Sequence, residues 1–316
     1  MAMPSIPTAR ALLIVTENDG LVDGADVKAL VEMAVIAEAN GIDSVMLSEH
    51  VVLGSEAGAL GPPDNPRDYA APGNQDPDMP WPSSLITLAA IAARTRSLRL
   101  VAGAVITPLR HPLLLAKEFA TLDRLSDGRL IVIPTVSWHR QEYDALGVKF
   151  GRRGEMLDEQ LQAWEQIWAN EAASFHGTHY DFTDVHVEPK AVRAGGPVLW
   201  FGGSTLHSSL LQRLVKYGQG YNPFGSPSAE DLDRLGEALV AAGRRQDSIE
   251  LVGGVRATFP DAYSPADLDQ AMETVPAQLA RGFSTICVKP SMFIDDLDEL
   301  PAFCASVVAK LTAMSS

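Results

Sequence analysis

The amino-acid sequence predicts one domain, residues 1–316, folded as an α/β protein of the (β/α)8 TIM-barrel type. First, short apolar runs alternate with longer amphipathic runs of helical period along the chain. Second, eight strand–helix units can be counted, which is the number that closes a parallel barrel. Third, such barrels commonly run to about 250 residues or more as one domain. A doubly wound open sheet shares the alternation and stays open as the structural alternative.

Short apolar runs place the strands, and apolar residues three and four positions apart place the helices. The predicted strands span residues 11–15, 44–47, 98–101, 130–133, 198–201, 220–222, 249–252 and 285–288, of which 220–222 has the weakest pattern. The predicted helices span residues 26–40, 84–95, 113–125, 156–169, 208–217, 229–242, 265–281 and 297–312.

Two stretches interrupt this alternation. Residues 54–82 are rich in Gly, Pro, Asp and Asn and follow the second strand, so in a barrel they lie over the carboxyl-terminal mouth, where active sites form. Residues 174–189 alternate aromatic and polar side chains and predict a hairpin inserted after the fourth strand and its helix.

The charge and composition exclude some classes of function. The chain carries 25 Lys and Arg against 40 Asp and Glu, a net charge of −15, which argues against an extended nucleic-acid surface. Cys287 and Cys304 stand far apart, so we expect reduced thiols and no metal site. The first ten residues lack a secretory pattern, and no apolar run reaches the ~20 residues of a membrane helix. We therefore expect a cytoplasmic protein that does not enter membranes.

Polar clusters follow several of the predicted strands. Ser48, Glu49 and His50 come directly after the second strand, where an imidazole can exchange a proton near neutral pH. A structural histidine bonded to a loop carbonyl is the alternative. Arg110, after the third strand, can hold an anion with its fork of donors, or it is a solvated arginine in a proline-stiffened loop.

Two further clusters follow the fourth and fifth strands. Ser137, Trp138, His139 and Gln141 can line a pocket, although a lone tryptophan is more often a core residue. The turn formed by Gly202, Gly203 and Ser204 allows close backbone approach, and the helix after it offers N–H groups to a phosphate. An ordinary strand–helix turn is the alternative. No P-loop and no Gly-x-Gly-x-x-Gly pattern is present, which disfavours ATP and NAD.

An ordered set of short motifs resembles the luciferase-like monooxygenase family, and most closely its coenzyme F420-dependent oxidoreductases. The resemblance covers nearly the whole chain. The motifs are EANGIDS at 38–44, SEHVV at 48–52, LRHP at 109–112 with AK at 116–117, LDRLSDGR at 122–129, FHG at 175–177, EPK at 188–190 and GGS at 202–204.

The resemblance implies a flavin-type ring across the barrel mouth, with His50 beside its reactive carbon and the end of the third strand against its face. That strand often carries a non-proline cis peptide in relatives. The residues that the resemblance assigns to the cofactor are Ser48, Glu49, Ala104, Val105, Ile106, Thr107, Ser137, Gln141, and Gly202, Gly203 and Ser204, the last three near its phosphate.

The sequence departs from the family pattern at the fourth strand. Residues 134–137 read Pro-Thr-Val-Ser where many relatives have a glycine-rich stretch, which changes the wall near the cofactor phosphate. Trp138 stands where some relatives carry a carboxylic acid, so proton delivery would rest on His50 or His139. We expect Arg110, Trp138 and Trp81 to contact the substrate.

The resulting functional hypothesis is hydride transfer between reduced F420 and a carbonyl, imine or activated alkene of a small organic substrate. An FMN-dependent monooxygenase that uses O2 and a separate flavin reductase is the first alternative. A non-catalytic flavin-binding barrel is the second. The resemblance also implies a homodimer, supplied with reduced cofactor by a flavin reductase or an F420-reducing enzyme.

Overall fold

The computed structural model describes residues 9–315. The strands are β1 (Arg10–Ile14), β2 (Ser44–Leu47), β3 (Arg99–Ile106), β4 (Leu130–Thr135), β5 (Ala173–His176), β6 (Asp181–Val185), β7 (Val198–Phe201), β8 (Gly220–Tyr221), β9 (Glu250–Gly254) and β10 (Phe283–Val288). Eight of these strands are parallel and close into a barrel in the order β1-β10-β9-β8-β7-β4-β3-β2. The helices are α1 (Val27–Ala39), α2 (Ser84–Arg94), α3 (Pro112–Leu125), α4 (Arg140–Ala145), α5 (Arg153–Ala169), α6 (Ser208–Tyr217), α7 (Ala229–Ala241), α8 (Leu268–Met272), α9 (Val275–Ala280) and α10 (Leu300–Met314).

The pairing of the first and last strands closes the sheet. Leu12 of β1 pairs with Ser44 of β2 on one side and with Cys287 of β10 on the other. A doubly wound open sheet would leave two edge strands, so the barrel prediction is confirmed and the alternative is wrong. Strand β8 has only two residues, in keeping with its weak sequence pattern.

The core forms two layers because successive strand side chains point to opposite faces. An inner cluster fills the barrel, and a larger outer cluster packs the strands against the helices. The inner cluster comprises Leu12, Ile14, Met46, Val101, Ile131, Ile133, Trp200, Val252 and Cys287. Each large apolar side chain that is fully buried contributes about 1.5–3 kcal/mol, so these layers supply most of the stabilisation.

A network of charged residues closes the amino-terminal end of the barrel. The Arg99 guanidinium binds Asp43 through Nε at 2.7 Å and Glu250 through Nη1 at 3.0 Å, and it lies over the Trp200 ring at 5.5 Å. Arg10 adds a second ion pair to Glu250 at 2.9 Å. These side chains join β1, β3 and β9 across the barrel.

The helices differ from the sequence prediction in two places. The segment 265–281 was expected to be one helix, but it forms α8 and α9 with a break between them. Pro276 lies in the first turn of α9, and a proline there removes an N–H and blocks a continuous helix. The short helix α4, directly after the fourth barrel strand, was not predicted.

The predicted hairpin is confirmed by β5 and β6, which pair antiparallel and bring Phe175 opposite Phe182. Within residues 9–315, no helix has the length and apolar character needed to cross a membrane. The same residues contain no cluster of three or more His, Cys, Asp or Glu side chains arranged to hold a metal ion.

Candidate active site

The carboxyl-terminal ends of all eight barrel strands meet at one rim, so the predicted site residues after β2, β3, β4 and β7 converge there. The long loop at residues 54–82 crosses this rim. Its only regular element is a single 3-10 turn at Ser55–Gly58.

His50 is held at the rim by a buried carboxylate. Nδ1 of His50 lies 3.3 Å from Oε2 of Glu142, which is completely buried at the start of α4. The other Glu142 oxygen accepts the N–H groups of Val51 and Val52 at 2.6 and 3.3 Å. An ionised carboxylate only accepts, so Nδ1 carries a proton and Nε2 is the atom that can exchange one. No residue among 9–315 hydrogen bonds to that Nε2.

Aromatic rings surround His50. The Trp81 ring contacts it edge-on at a centroid distance of 5.1 Å, and Trp138 does so at 6.1 Å. Trp138 also packs against His139 at 4.9 Å. The structure thus brings four of the predicted catalytic and substrate residues into one cluster.

His139 is bound to the loop over the mouth. Its Nε2 accepts the N–H of Gly54 at 2.8 Å, and the side chain is only 2% exposed. Burial lowers the pKa of His139; Glu142 and Glu56 oppose that shift, and His50 adds to it. A neutral ring with Nε2 as acceptor fits both observations, so this geometry favours His50 over His139 as the proton carrier.

Gln141 has a similar structural partner. Its Oε1 accepts the N–H of Glu56 at 3.1 Å. A Cβ on Gly54 would come within 2.0 Å of that same oxygen, so a side chain at Gly54 would displace Gln141. His139 and Gln141 together fix the first residues of the loop.

Glu49 and Arg110 bind each other. The two oxygens of Glu49 accept from Nη1 and Nη2 of Arg110 at 2.8 and 2.9 Å, a bidentate ion pair. Glu49 also accepts from Ile106 N–H at 3.1 Å and from Ser84 Oγ at 3.1 Å. Both oxygens of the buried Glu49 carboxylate are therefore occupied by hydrogen bonds. These bonds join the end of β2 to the end of β3, and the Arg110 guanidinium faces Glu49.

Ser48 is tied to the end of β1. Its N–H donates to Thr16 Oγ1 at 2.9 Å, and its hydroxyl donates to Glu17 at 2.7 Å. Glu17 itself has a positive φ of 60°, a conformation that non-glycine residues adopt rarely and mostly at constrained sites.

The end of β3 contains the cis peptide that the resemblance implies, between Gly103 and Ala104. Ala104 is half-buried against the inner cluster. The Val105 side chain points into the outer core, which leaves only its backbone for a cofactor contact. Ile106 and Thr107 are buried, and Thr107 Oγ1 has no partner in the described chain.

The ends of β4 and β7 form the opposite wall. Ser137 has a positive φ of 53°, and its carbonyl accepts from Arg153 Nε at 3.3 Å. A Cβ on Gly202 would lie 2.3 Å from the Asn222 carbonyl, so strand packing requires glycine there. Gly203 is half-buried and Ser204 is exposed before α6. The α6 amino end is partly capped, because His207 Nδ1 accepts the Leu210 N–H at 3.2 Å.

Three rim residues were missed by sequence reasoning: Glu142, Asn222 and Lys289. Glu142 lies in the first turn of a helix that was not predicted. Asn222 follows the weakest strand, and its amide reaches the Met46 sulfur at 3.7 Å. Lys289 follows β10, where position at a strand end was the only available signal.

Two observations fit a cofactor or substrate at this rim. The Trp81 Nε1 donor is buried beside His50 without an acceptor in residues 9–315, which ordinarily costs about 1–3 kcal/mol. Within the described part of the chain, the Asn222 side-chain amide donates only to a thioether, a weak acceptor. A heterocycle with carbonyl and ring-nitrogen acceptors would satisfy such donors.

Comparison with known proteins identifies the family. Residues 9–285 match the sequence profile described as luciferase-like monooxygenase. The chain belongs to this family. The structure of the monooxygenase RslO1 from Streptomyces bottropensis shares the luciferase-like fold, with a TM-score of 0.67 and 19% identity over 97% of this chain and 100% of that one.

Curated relatives match over shorter segments. A Mycobacterium tuberculosis protein described as uncharacterized is 35% identical over 170 residues, covering 52% of this chain and 57% of its own length. The FMNH2-dependent dimethylsulfone monooxygenase of Pseudomonas putida is 32% identical over 119 residues, covering 37% of this chain and 32% of its own. This luciferase-like chain therefore spans less than two thirds of the length of these curated relatives.

Proposed function

We propose that this chain is an oxidoreductase that holds a reduced flavin-type cofactor across the barrel mouth, with His50 exchanging a proton at the reacting centre. The buried His50–Glu142 pair carries the proposal, because no residue in the described range 9–315 binds the other imidazole nitrogen, which lies beside two indole rings. Family membership supports the cofactor class.

Coenzyme F420 is the cofactor that we assign, with a carbonyl, imine or activated alkene as the hydride acceptor. When bound, the reduced ring supplies the hydride. Ala104 would lie under the ring, the Asn222 amide and Trp81 Nε1 would donate to polar atoms, and the turn at 202–204 would face the phosphate. Ser48, Glu49 and Gln141 hold the surrounding loops in place.

The chain's own groups manage the proton. Glu142 keeps the Nδ1 proton of His50 in place, so Nε2 accepts or donates toward the substrate. Trp81, Trp138 and the loop anchored by His139 exclude water from that nitrogen. Orientation and desolvation are thereby supplied by side chains that are already fixed in the structure.

The test is a titration of the purified chain with F420 and, separately, with FMN. Binding of F420 well below the high-micromolar range, with turnover of an acceptor, supports the proposal. Absence of F420 binding in that range contradicts the cofactor assignment. Tight binding of either cofactor without turnover of any acceptor would indicate a non-catalytic binding protein.

An FMN-dependent monooxygenase is the second candidate, and the relative from Pseudomonas putida favours it because its name specifies FMNH2. That function predicts oxygen consumption when the chain is mixed with reduced FMN from a flavin reductase. Reduced F420 would support no oxygen consumption, so one oxygen-electrode experiment separates the two cofactors.

A homodimer is part of the proposal. Ile86 of α2 and Leu114 of α3 are 72% and 61% exposed on helices that pack side by side. Apolar side chains on neighbouring helices are suited to a subunit interface. Light scattering of the wild-type chain and of the Ile86→Glu variant tests the assignment, with the variant expected to be monomeric.

A further inference from the structure

Lys289 lies buried at the barrel rim, in a place where the reaction scheme above gives it no task. It is the first residue after β10, and its side chain is 1% exposed. Its Nζ donates to the Asp68 carbonyl at 2.9 Å and lies 5.2 Å from the centre of the Tyr69 ring. Both partners belong to the loop at residues 54–82, so Lys289 sits directly beneath that loop.

The Lys289 ammonium is buried without an ion pair. It has three N–H donors, yet one carbonyl is its only hydrogen-bond acceptor among residues 9–315, and no carboxylate of those residues lies within 4 Å. Burial lowers the pKa of Lys289, while Glu17, Asp19 and Asp68 raise it from a greater distance. The Glu17 carboxylate is already bonded to Ser48.

A buried charge of this kind is costly unless an opposite charge compensates it. The Arg110 guanidinium, for example, is compensated by the Glu49 carboxylate. Charged groups that are buried without a direct ion pair occur preferentially at functional sites, where a ligand can complete their interactions. An anionic oxygen from a ligand would complete those of Lys289.

The topology places this lysine within reach of a molecule that also contacts His50. Strand β1 pairs with both β2 and β10, so the rim positions after β2 and β10 are two strand spacings apart. That separation is roughly 10 Å. A small organic acid can span this distance.

We propose that Lys289 binds a carboxylate of the substrate through the Nζ–H donors that the Asp68 carbonyl leaves unused in the described chain. The proposal rests on the proposed function in so far as the molecule held by Lys289 is the one that reacts beside His50. The substrate class is then a small organic acid with a reducible or oxidisable group several bonds from its carboxylate.

The experiment measures the preference for an acid over its uncharged ester. The full chain, alone and with F420 or FMN, is titrated calorimetrically with medium-chain monocarboxylates that carry an aldehyde or ketone at the end remote from the carboxylate, and with the methyl ester of each. In the wild type at least one acid should bind about tenfold more tightly than its ester, the effect of roughly one 1.4 kcal/mol ion pair. The Lys289→Met variant should lose this preference, and Lys289→Arg should retain part of it.

The controls separate charge from loop order and from folding. Arg67 anchors the same loop through the carbonyls of Ser291 and Ile294 without contacting Lys289, so Arg67→Gln loosens the loop and should keep the preference. Replacement of a buried charge by an apolar side chain is often tolerated, and the thermal midpoint of Lys289→Met checks folding.

Three results would overturn the proposal. They are the absence of any acid preference in the wild type, an unchanged preference in Lys289→Met, and an equal loss in Arg67→Gln. Cofactor titration of the same variants keeps the outcomes apart, because intact F420 or FMN binding with no acid preference rejects the Lys289 site and leaves the oxidoreductase proposal standing.

Discussion

At the scale of single residues, several polar groups of the candidate site already have hydrogen-bond partners within the protein. Glu49 is saturated by Arg110, Ile106 and Ser84, and His139 is engaged with Gly54. His50 differs from them, because among residues 9–315 only its Nδ1 has a hydrogen-bond partner. A titratable group with one satisfied and one free nitrogen is suited to proton transfer.

The first prediction concerns the free nitrogen of His50. The His50→Gln variant keeps a side chain that can hydrogen bond to Glu142 but cannot exchange a proton, so kcat should fall about 10²–10⁴-fold. Cofactor binding should change little. Steady-state kinetics combined with cofactor titration checks this, and an unchanged kcat would remove His50 from the mechanism.

The second prediction concerns Glu142. In Glu142→Gln the amide no longer fixes the Nδ1 proton, so we expect a drop in kcat of about 10–100-fold, smaller than that of His50→Gln. The His50→Gln/Glu142→Gln double variant should be no slower than His50→Gln, because Glu142 acts through His50. Independent, additive losses would show instead that Glu142 has a separate role, such as holding the N–H groups of Val51 and Val52.

At the scale of elements, the sequence predicts what repeats and misses what is unique. The apolar runs of β2 and β7 give their bounds to the residue, because buried parallel strands are continuous apolar segments. The break at Pro276 is visible in the sequence once proline is weighed against helical period. The short helix α4 carries little apolar signal, and its role became clear only from the Glu142 contact.

The loop at residues 54–82 marks the limit of sequence-based prediction. Its position over the mouth follows from its place after a strand. Its contacts do not, because the partners of Gly54 and Glu56 lie 85 residues away along the chain. No local pattern encodes such pairings, so His139 and Gln141 were predicted as site residues, whereas the structure gives each of them a loop amide as partner.

The third prediction is that acid loosens this loop. At pH values above 6.5, the ordinary pKa, His139 is neutral whether the loop is closed or open. As the pH falls below 6.5, the open form takes up a proton more readily than the closed form, whose pKa is lowered, so closure loses stability. Hydrogen exchange at residues 54–56, corrected for its intrinsic pH dependence, should therefore accelerate below that value.

Two variants identify the titrating group. The glutamine in His139→Gln offers an acceptor that does not titrate. In this variant, hydrogen exchange at residues 54–56 should therefore no longer accelerate below pH 6.5. His50→Gln should retain this acceleration, although His50 and Glu142 lie beside His139. An identical pH response in His139→Gln would assign the effect to another group.

At the scale of the whole molecule, the barrel is stabilised differently at its two ends. The carboxyl-terminal rim carries the Glu49–Arg110 ion pair and the His50–Glu142 pair of the candidate site. The amino-terminal end carries the ion-pair network around Arg99, which joins residues far apart in sequence. Such an arrangement separates stability from function along the barrel axis.

The fourth prediction tests that network. Arg99→Met leaves Asp43 and Glu250 without their main partner, so the free energy of unfolding should fall by about 2 kcal/mol or more. We expect the loss to stay below the roughly 3–5 kcal/mol that breaking a fully buried ion pair costs. Burial alone would raise the pKa of Glu250, but its hydrogen bond and charge contact with Arg99 lower it. The difference from wild type should therefore shrink as the pH falls below the ordinary value of 4.5.

Urea unfolding across that pH range measures the effect. Arg245→Ala, which removes an exposed ion pair with Asp247, is the matched control and should leave the thermal midpoint unchanged. Cofactor binding should be the same in both variants. Loss of cofactor binding in Arg99→Met would show that the two ends of the barrel are coupled.

The attachment of the loop over the mouth has a consequence for how far the sequence of that loop can vary. At the start of the loop, the side chains of His139 and Gln141 accept hydrogen bonds from backbone N–H groups. Further along the loop, Asn65 and Arg67 donate to the backbone carbonyls of residues 261 and 263. Because so many anchors are backbone atoms, most side chains between them are free to change without releasing the loop. Exchange of these inner segments, with the anchoring positions retained, would change the surface over the mouth and leave the histidine and its carboxylate untouched.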